Sequence, residues 1–245
     1  MANIYLNPFA GGCGTSQLLM PTQQIIRSGS GTYVPTVNTR LPLYICVELY
    51  GGGAGGAGSS QGVDMGFGGD GGDSSFAAGQ LIARGGHGAT FDAGLGGTCT
   101  VTLSAPGFSF TGQSGATAIA QEYDAGFGSS PYRITQDFFP GGVGGNGYFP
   151  GAGMERSNPS AVPNTGSGGA GGHINANTSN GLLVNAGCGG GAGGYLRYLL
   201  PPTNPDGSNY DYELGIAGTA GTAGTRGNAG GAGGSSLLII TEFYQ

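Results

Sequence analysis

The sequence predicts a mainly β protein: a β-sandwich-like frame of short strands carrying long glycine-rich, polyglycine-II-like extended segments, with few or no helices. Three observations predict it. Glycine supplies 58 of the 245 residues. The glycines fall in blocks, and in the last block Gly218, Gly221, Gly224, Gly227, Gly230 and Gly233 keep a strict three-residue period. Between the blocks stand short runs of β-branched, aliphatic and aromatic residues, the composition of strands.

A period of three fits neither a 3.6-residue helix nor a two-residue strand. It fits an extended left-handed helix with three residues per turn. Glycine at every third position leaves one bare edge, along which another backbone can approach and accept the N–H groups that such a helix cannot bond internally. The triplets contain no proline, which argues against collagen. A flexible glycine linker is the alternative; a terminal hydrophobic strand directly after the block argues against it. The six glycines are therefore expected to be structural.

Residues 1–30 read as an N-terminal attachment arm, with a hinge at 28–31. Residues 31–245 read as one glycine-rich β domain. Leu43-Tyr-Ile-Cys-Val-Glu-Leu-Tyr50 is the first strong strand, and at Gly51 glycine takes over. Short strands are expected at 74–77, 80–83 and 89–92, and longer ones at 98–104, 194–200, 210–216 and 237–244. An aromatic, loop-rich insert is expected at about 105–165, with a helical turn near 116–122. Asp206-Gly207 marks a turn.

Charged residues are only 8% of the chain and the net charge is −6. All seven basic residues are arginines. With aromatics and aliphatics retained in clusters, this is not the composition of a disordered chain. The absence of basic clusters argues against nucleic acid, and no apolar run is long enough for membrane insertion as a helix. The N-terminus lacks the basic segment of a secretory signal. Cys13, Cys46, Cys99 and Cys188 are widely spaced, so a metal site is not expected. Disulfides and free buried thiols both remain open.

Few patterns carry chemistry. Gly66-Phe-Gly-Gly-Asp-Gly71 matches a dinucleotide fingerprint, but no strand leads into it and no helix follows. Gly58-Ser-Ser-Gln-Gly62 matches a nucleophile elbow inside a glycine tract, without the strand that motif needs. Asp64, Asp70 and Asp73 could offer oxygens to a hard cation, but calcium needs six to eight ligands, and polar turn residues are the favoured reading. The pairs Glu122–Asp124 and Asp211–Glu213 have the spacing of a shared strand face but no further support as glycosidase carboxylates. Thr219, Thr222 and Thr225 lie about 9 Å apart at a rise of about 3.1 Å per residue, which leaves an ice-binding protein as a minor alternative. No catalytic residue, metal or cofactor is expected, and the chain is not expected to be an enzyme.

The order of the blocks resembles a known family. A strand ending Glu48-Leu-Tyr runs into Gly51-Gly-Gly-Ala-Gly-Gly-Ala-Gly. A late unit reads Gly193-Gly-Tyr-Leu-Arg-Tyr, then Pro-Asp-Gly-Ser-Asn-Tyr-Asp-Tyr-Glu-Leu-Gly-Ile-Ala-Gly. A final glycine run meets Leu237-Leu-Ile-Ile-Thr-Glu-Phe-Tyr. Over about residues 30–245 this resembles the glycine-rich domain of tailed-bacteriophage tail-fibre and tail-tip proteins. Residues 98–165 depart from that pattern, being longer and more aromatic.

The resemblance implies a non-enzymatic virion protein, often receptor-binding and often a homotrimer. The expected function is a tail-fibre or tail-tip adhesin at the host surface, joined to other virion proteins through residues 1–30. A head, neck or collar decoration protein is the alternative. Receptor contact is expected from Tyr123, Phe127, Tyr132, Arg133, Tyr148, Phe149 and Arg156, because tyrosine and arginine most often carry recognition energy and loops on a rigid frame present them. Packing of these aromatics into a small core is the competing expectation.

Overall fold

The computed structural model describes residues 20–36, 41–118, 120–121, 137–154, 159–176, 184–204 and 207–244. Among them are fourteen strands and no helix. In chain order these are β1 (Thr22–Ile26), β2 (Ser30–Tyr33), β3 (Tyr44–Tyr50), β4 (Ser74–Phe76), β5 (Leu81–Ala83), β6 (Cys99–Val101) and β7 (Gly107–Phe110). They continue with β8 (Ala120–Gln121), β9 (Asp137–Phe139), β10 (Ile174–Ala176), β11 (Val184–Asn185), β12 (Tyr195–Leu200), β13 (Tyr210–Glu213) and β14 (Leu237–Phe243). The mainly β class is the one expected.

Two five-stranded antiparallel sheets form the frame, ordered β1-β14-β3-β12-β7 and β2-β13-β4-β5-β6. Strand β3 shows why they pack. Its alternation places Ile45, Val47 and Leu49 on one face, all fully buried. Leu196, Leu200, Leu238 and Ile240 of the neighbouring strands join them, and Tyr33, Phe76, Leu81 and Tyr210 come from the second sheet. This is a sandwich core built from two apolar sheet faces.

The glycine tracts form a bundle that continues from the sandwich. Tyr50, Tyr195 and Leu237 are register partners, and the chain passes between sheet and glycine tract at all three. Residues 51–60 run through the bundle with a three-step hydrogen-bond pattern. The N–H groups of Gly51, Ala54, Ala57 and Ser60 donate to the carbonyls of Gly194, Gly191, Cys188 and Asn185. Those of Gly52, Gly55 and Gly58 donate to Gly72, Gly69 and Gly66. Those of Gly53, Gly56 and Ser59 donate to Gly234, Gly231 and Asn228.

Three further tracts donate back. Gly86 and Ala89 bond the carbonyls of Gly52 and Gly55; Gly169 and Gly172 bond those of Ala54 and Ala57; Gly218, Gly221 and Gly224 bond those of Gly53, Gly56 and Ser59. Residues 51–60 are thus enclosed by six extended neighbours, three antiparallel and three parallel. This is the side-by-side arrangement that a three-residue helix requires, since it has no internal hydrogen bonds. Residues 187–194 are a second interior tract, donating in turn to 166–172, 113–116 and 84–87.

Several expectations change. Residues 22–26 are not part of an arm: β1 pairs along its full length with β14. The hinge is a tight connection between β1 and β2, with Gly29 at φ 88°. The 98–104 strand shrinks to β6, and the 210–216 strand stops at Glu213, because Gly215 and Ile216 have already joined the bundle beside Gly72. Residues 89–92 are no strand: Ala89 ends a glycine tract, and Thr90 turns back to bond Asp92. The helical turn near 116–122 is absent at 116–118 and 120–121; Ala116 bonds Val143, and β8 pairs with β11. The insert is partly frame, because β7 is an edge strand of the first sheet and 112–116 and 141–145 are bundle members.

Candidate functional site

The outer face of the first sheet is set by the register of its strands. Leu237, Tyr50, Tyr195 and Phe110 lie side by side across β14, β3, β12 and β7. The next row is Ile25, Ile239, Glu48, Arg197 and Phe108. Alternation in β7, Gly107-Phe-Ser-Phe110, puts both of its phenylalanines on this face.

A second element reaches the same face. After Asn146 the chain leaves the bundle and lays Tyr148 and Phe149 on the first row. Tyr148 stacks on Tyr195 with centroids 4.0 Å apart and planes 9° apart. Phe149 stacks on Tyr50 at 5.6 Å. Phe110 lies 5.8 Å from Tyr148, its plane within 19°. Tyr50 and Tyr195 are buried, whereas Phe108, Phe110, Tyr148 and Phe149 are 42%, 53%, 46% and 43% exposed. The four exposed rings form a continuous aromatic surface with a buried foundation.

Electrostatics around the foundation are local. The Tyr195 hydroxyl donates to Glu48 at 2.9 Å. Burial, and then the Glu48 carboxylate, push the Tyr195 phenol well above its ordinary range. Arg197 donates to the Cys46 sulfur at 3.2 Å and lies 3.9 Å from Glu48. The Tyr50 hydroxyl is buried with no hydrogen-bond partner among the described residues.

A groove extends from the aromatic surface along the bundle. Its first hollow, about 390 Å³, is walled by Phe110, Tyr148, Tyr195, Gln113, Asn146 and Pro150, among others. A second, about 690 Å³, shares Gln113, Asn146 and Pro150 and continues to Ala152, Met154 and Val162. Both lie within the roughly 300–1,000 Å³ range of small-ligand sites.

Of the expected receptor residues, Tyr148 and Phe149 are brought together here. Tyr123, Phe127, Tyr132, Arg133 and Arg156 lie outside the described residues. Phe108, Phe110, Gln113, Asn146 and Tyr195 were not among the expected site residues. The alternation of Phe108 and Phe110 is the one signal in the sequence that marks an outward strand face.

The other candidates resolve differently. Asp64 accepts from Ser60, Thr225 N and Thr225 Oγ1. These hydrogen bonds, Ser60 first, lower its pKa to about 2. Asp70 bonds Gly88 N, and Asp73 bonds Arg84 and Gly85 N. The three carboxylates thus serve separate partners and do not converge. Among the described residues no group of three or more acidic, histidine or cysteine side chains could hold a metal.

Ser60 is fully buried in a glycine tract, and Gly66–Gly71 is another tract, so neither motif has the strand–turn–helix setting its chemistry needs. Cys46, Cys99 and Cys188 are free thiols, and Cys13 lies outside the described residues. Burial raises the Cys99 pKa to about 11. No helix among the described residues is long and apolar enough to cross a membrane.

No protein-family model matches the chain, and neither a curated protein nor a solved structure matches it significantly.

Proposed function

We propose that the chain is a non-enzymatic structural protein of a bacteriophage particle, a tail-fibre or tail-tip adhesin that contacts the host surface. The observation that carries this reading is the exposed aromatic surface of Phe108, Phe110, Tyr148 and Phe149 on a rigid frame. Exposed contiguous aromatics are characteristic of recognition surfaces. The frame suits that task, because the tracts at its interior bond to neighbours on every side and the site needs little ordering on contact. The resemblance of the block order to phage tail-fibre and tail-tip domains is what suggests the particle.

Immunogold labelling of the particle with antibody against this chain tests the position, and adsorption of the purified chain to host cells tests the role. Label at the tail tip with saturable adsorption is expected. Label confined to the head or neck without adsorption returns the decoration-protein reading.

A further inference from the structure

We infer that the groove running from Phe110 and Tyr148 past Gln113 and Asn146 is a binding site for an uncharged saccharide of the cell surface. The inference rests on the adhesin reading for the source of its ligand, and on the groove itself for the chemistry.

The first argument is the pairing of surface types. A pyranose ring has an apolar C–H face and a rim of hydroxyls. At one end the groove offers flat aromatic faces already held near-parallel: Phe110 within 19° of Tyr148 and 12° of Tyr195. Rings fixed before contact lose little entropy when they bind. Beyond them the walls become amides.

The second argument is how those amides are held. Gln113 Oε1 accepts from Asn146 N at 3.3 Å. Asn146 Oδ1 accepts from the N–H groups of Gly151 and Ala152 at 3.4 and 3.3 Å. With both oxygens engaged by backbone, the amide NH2 groups are the donors left for a ligand's hydroxyl oxygens.

The third argument is charge. No described residue lining either hollow is charged. Among the described residues an acidic saccharide finds no cation to pair with here, and a basic ligand no anion. A peptide is also disfavoured. The N–H groups of Gly112, Gln113 and Ala116 are spent within the protein, on Gly97, Asn146 and Val143, so this stretch of the groove, beyond the edge of β7, offers no ladder to an added strand. A hydroxyl-rich ligand requires only the amides and rings.

The test uses the purified full chain on a printed array of neutral and acidic bacterial surface glycans. The strongest binder is then titrated calorimetrically. Retention of neutral glycans is expected. Gln113→Glu and Asn146→Asp keep the oxygen acceptors but remove the donors and add charge. Each should weaken binding at least tenfold without changing the melting temperature. Phe110→Ala should also weaken binding, by removing a stacking face. Phe67→Ala, at a different exposed aromatic pair, should leave affinity unchanged.

The inference is overturned if no neutral glycan is retained, if acidic glycans are preferred, or if the amide variants bind as the parent does. Host-cell adsorption is measured in parallel. Adsorption without glycan binding removes the saccharide assignment and leaves the adhesin reading standing. Glycan binding without adsorption does the reverse.

Discussion

Glu242 is fully buried, yet its side chain accepts five hydrogen bonds from described residues. Its carboxylate accepts from Thr22 Oγ1 at 2.5 Å, Tyr33 OH at 2.6 Å, Tyr244 OH at 2.7 Å, Thr36 N at 2.8 Å and Gln24 Nε2 at 3.1 Å. Burial pushes its pKa up, but these donors outweigh burial and hold it below the ordinary value. A carboxyl group with a lowered native pKa takes up its proton first in the unfolded chain. Its contribution is complete above the ordinary value of 4.5 and is lost as pH falls through the lower native value. Acid titration of the melting temperature should therefore show a fall below about pH 4.5. That part of the fall should disappear in Glu242→Gln. At neutral pH the same variant should lose roughly 2 kcal/mol or more, because an amide NH2 then faces groups that are themselves donors. Tyr50 offers the opposite case. Its buried hydroxyl lacks a partner among the described residues, so Tyr50→Phe should keep or raise stability, by up to about 1 kcal/mol in denaturant melts. A loss beyond that would show that the hydroxyl has a partner after all.

The last glycine block shows how an element can differ from its sequence period. Gly218 to Gly233 reads as one uninterrupted helix of triplets. It is a hairpin of two antiparallel tracts, turned at Thr225 and Arg226, with Arg226 at φ 55°. Gly233, Gly230 and Gly227 donate across it to Gly218, Gly221 and Gly224. The period survives the turn because glycine is needed wherever a tract faces another backbone. A Cβ on Gly227 would overlap the Ser59 carbonyl, whereas on Gly224 it would come within 2.7 Å of Ser60 and Asp64 side-chain atoms. In most tracts the hydrogen in the Cβ direction faces a carbonyl oxygen, a Cα–H···O contact repeated along the bundle. Backbone cannot step aside as a side chain can. Gly227→Ala should therefore cost more than about 2 kcal/mol, and Gly224→Ala clearly less. Equal melting of the two variants would contradict this account.

At the scale of the whole molecule, order is distributed between an apolar sandwich and a bundle with little side-chain core. The interior tracts 51–60 and 187–194 bond on all sides, while 66–72 and 216–224 lie at the periphery, with Phe67, Thr219 and Thr222 exposed. Native-state hydrogen exchange should rank accordingly, with Gly55, Gly56 and Gly190 the slowest among the glycines and Gly66 and Gly69 faster. The homotrimer remains a proposal at this scale, resting on the family resemblance. Sedimentation equilibrium at micromolar concentration checks it; a folded monomer there would exclude a stable trimer.

The sequence by itself determined the class of structure and its local forms. A three-residue glycine period can satisfy its N–H groups only in neighbouring backbones, and runs such as Tyr44 to Tyr50 and Leu237 to Phe243 alternate or cluster as buried strands must. Strand ends were less legible: Tyr210 to Ile216 reads as one strand, but the bundle captures Gly215 and Ile216, a choice made by Gly72 from a distant segment. Residues 22–26 read as part of an arm because the N-terminal segment is glycine-poor, unlike the rest of the chain, and too short for a domain; only pairing with β14 makes them part of a sheet. Tyr148 and Phe149 stand out in the sequence by residue type alone, and the structure exposes both on the aromatic surface. Their partners do not stand out in this way, because Phe110 and Tyr195 reach them through strand register, and Gln113 meets Asn146 through bundle packing. Periodicity records which local conformation a segment can satisfy. It does not record which of many equivalent glycine tracts becomes its neighbour, and that tertiary choice places the rings and amides along one groove.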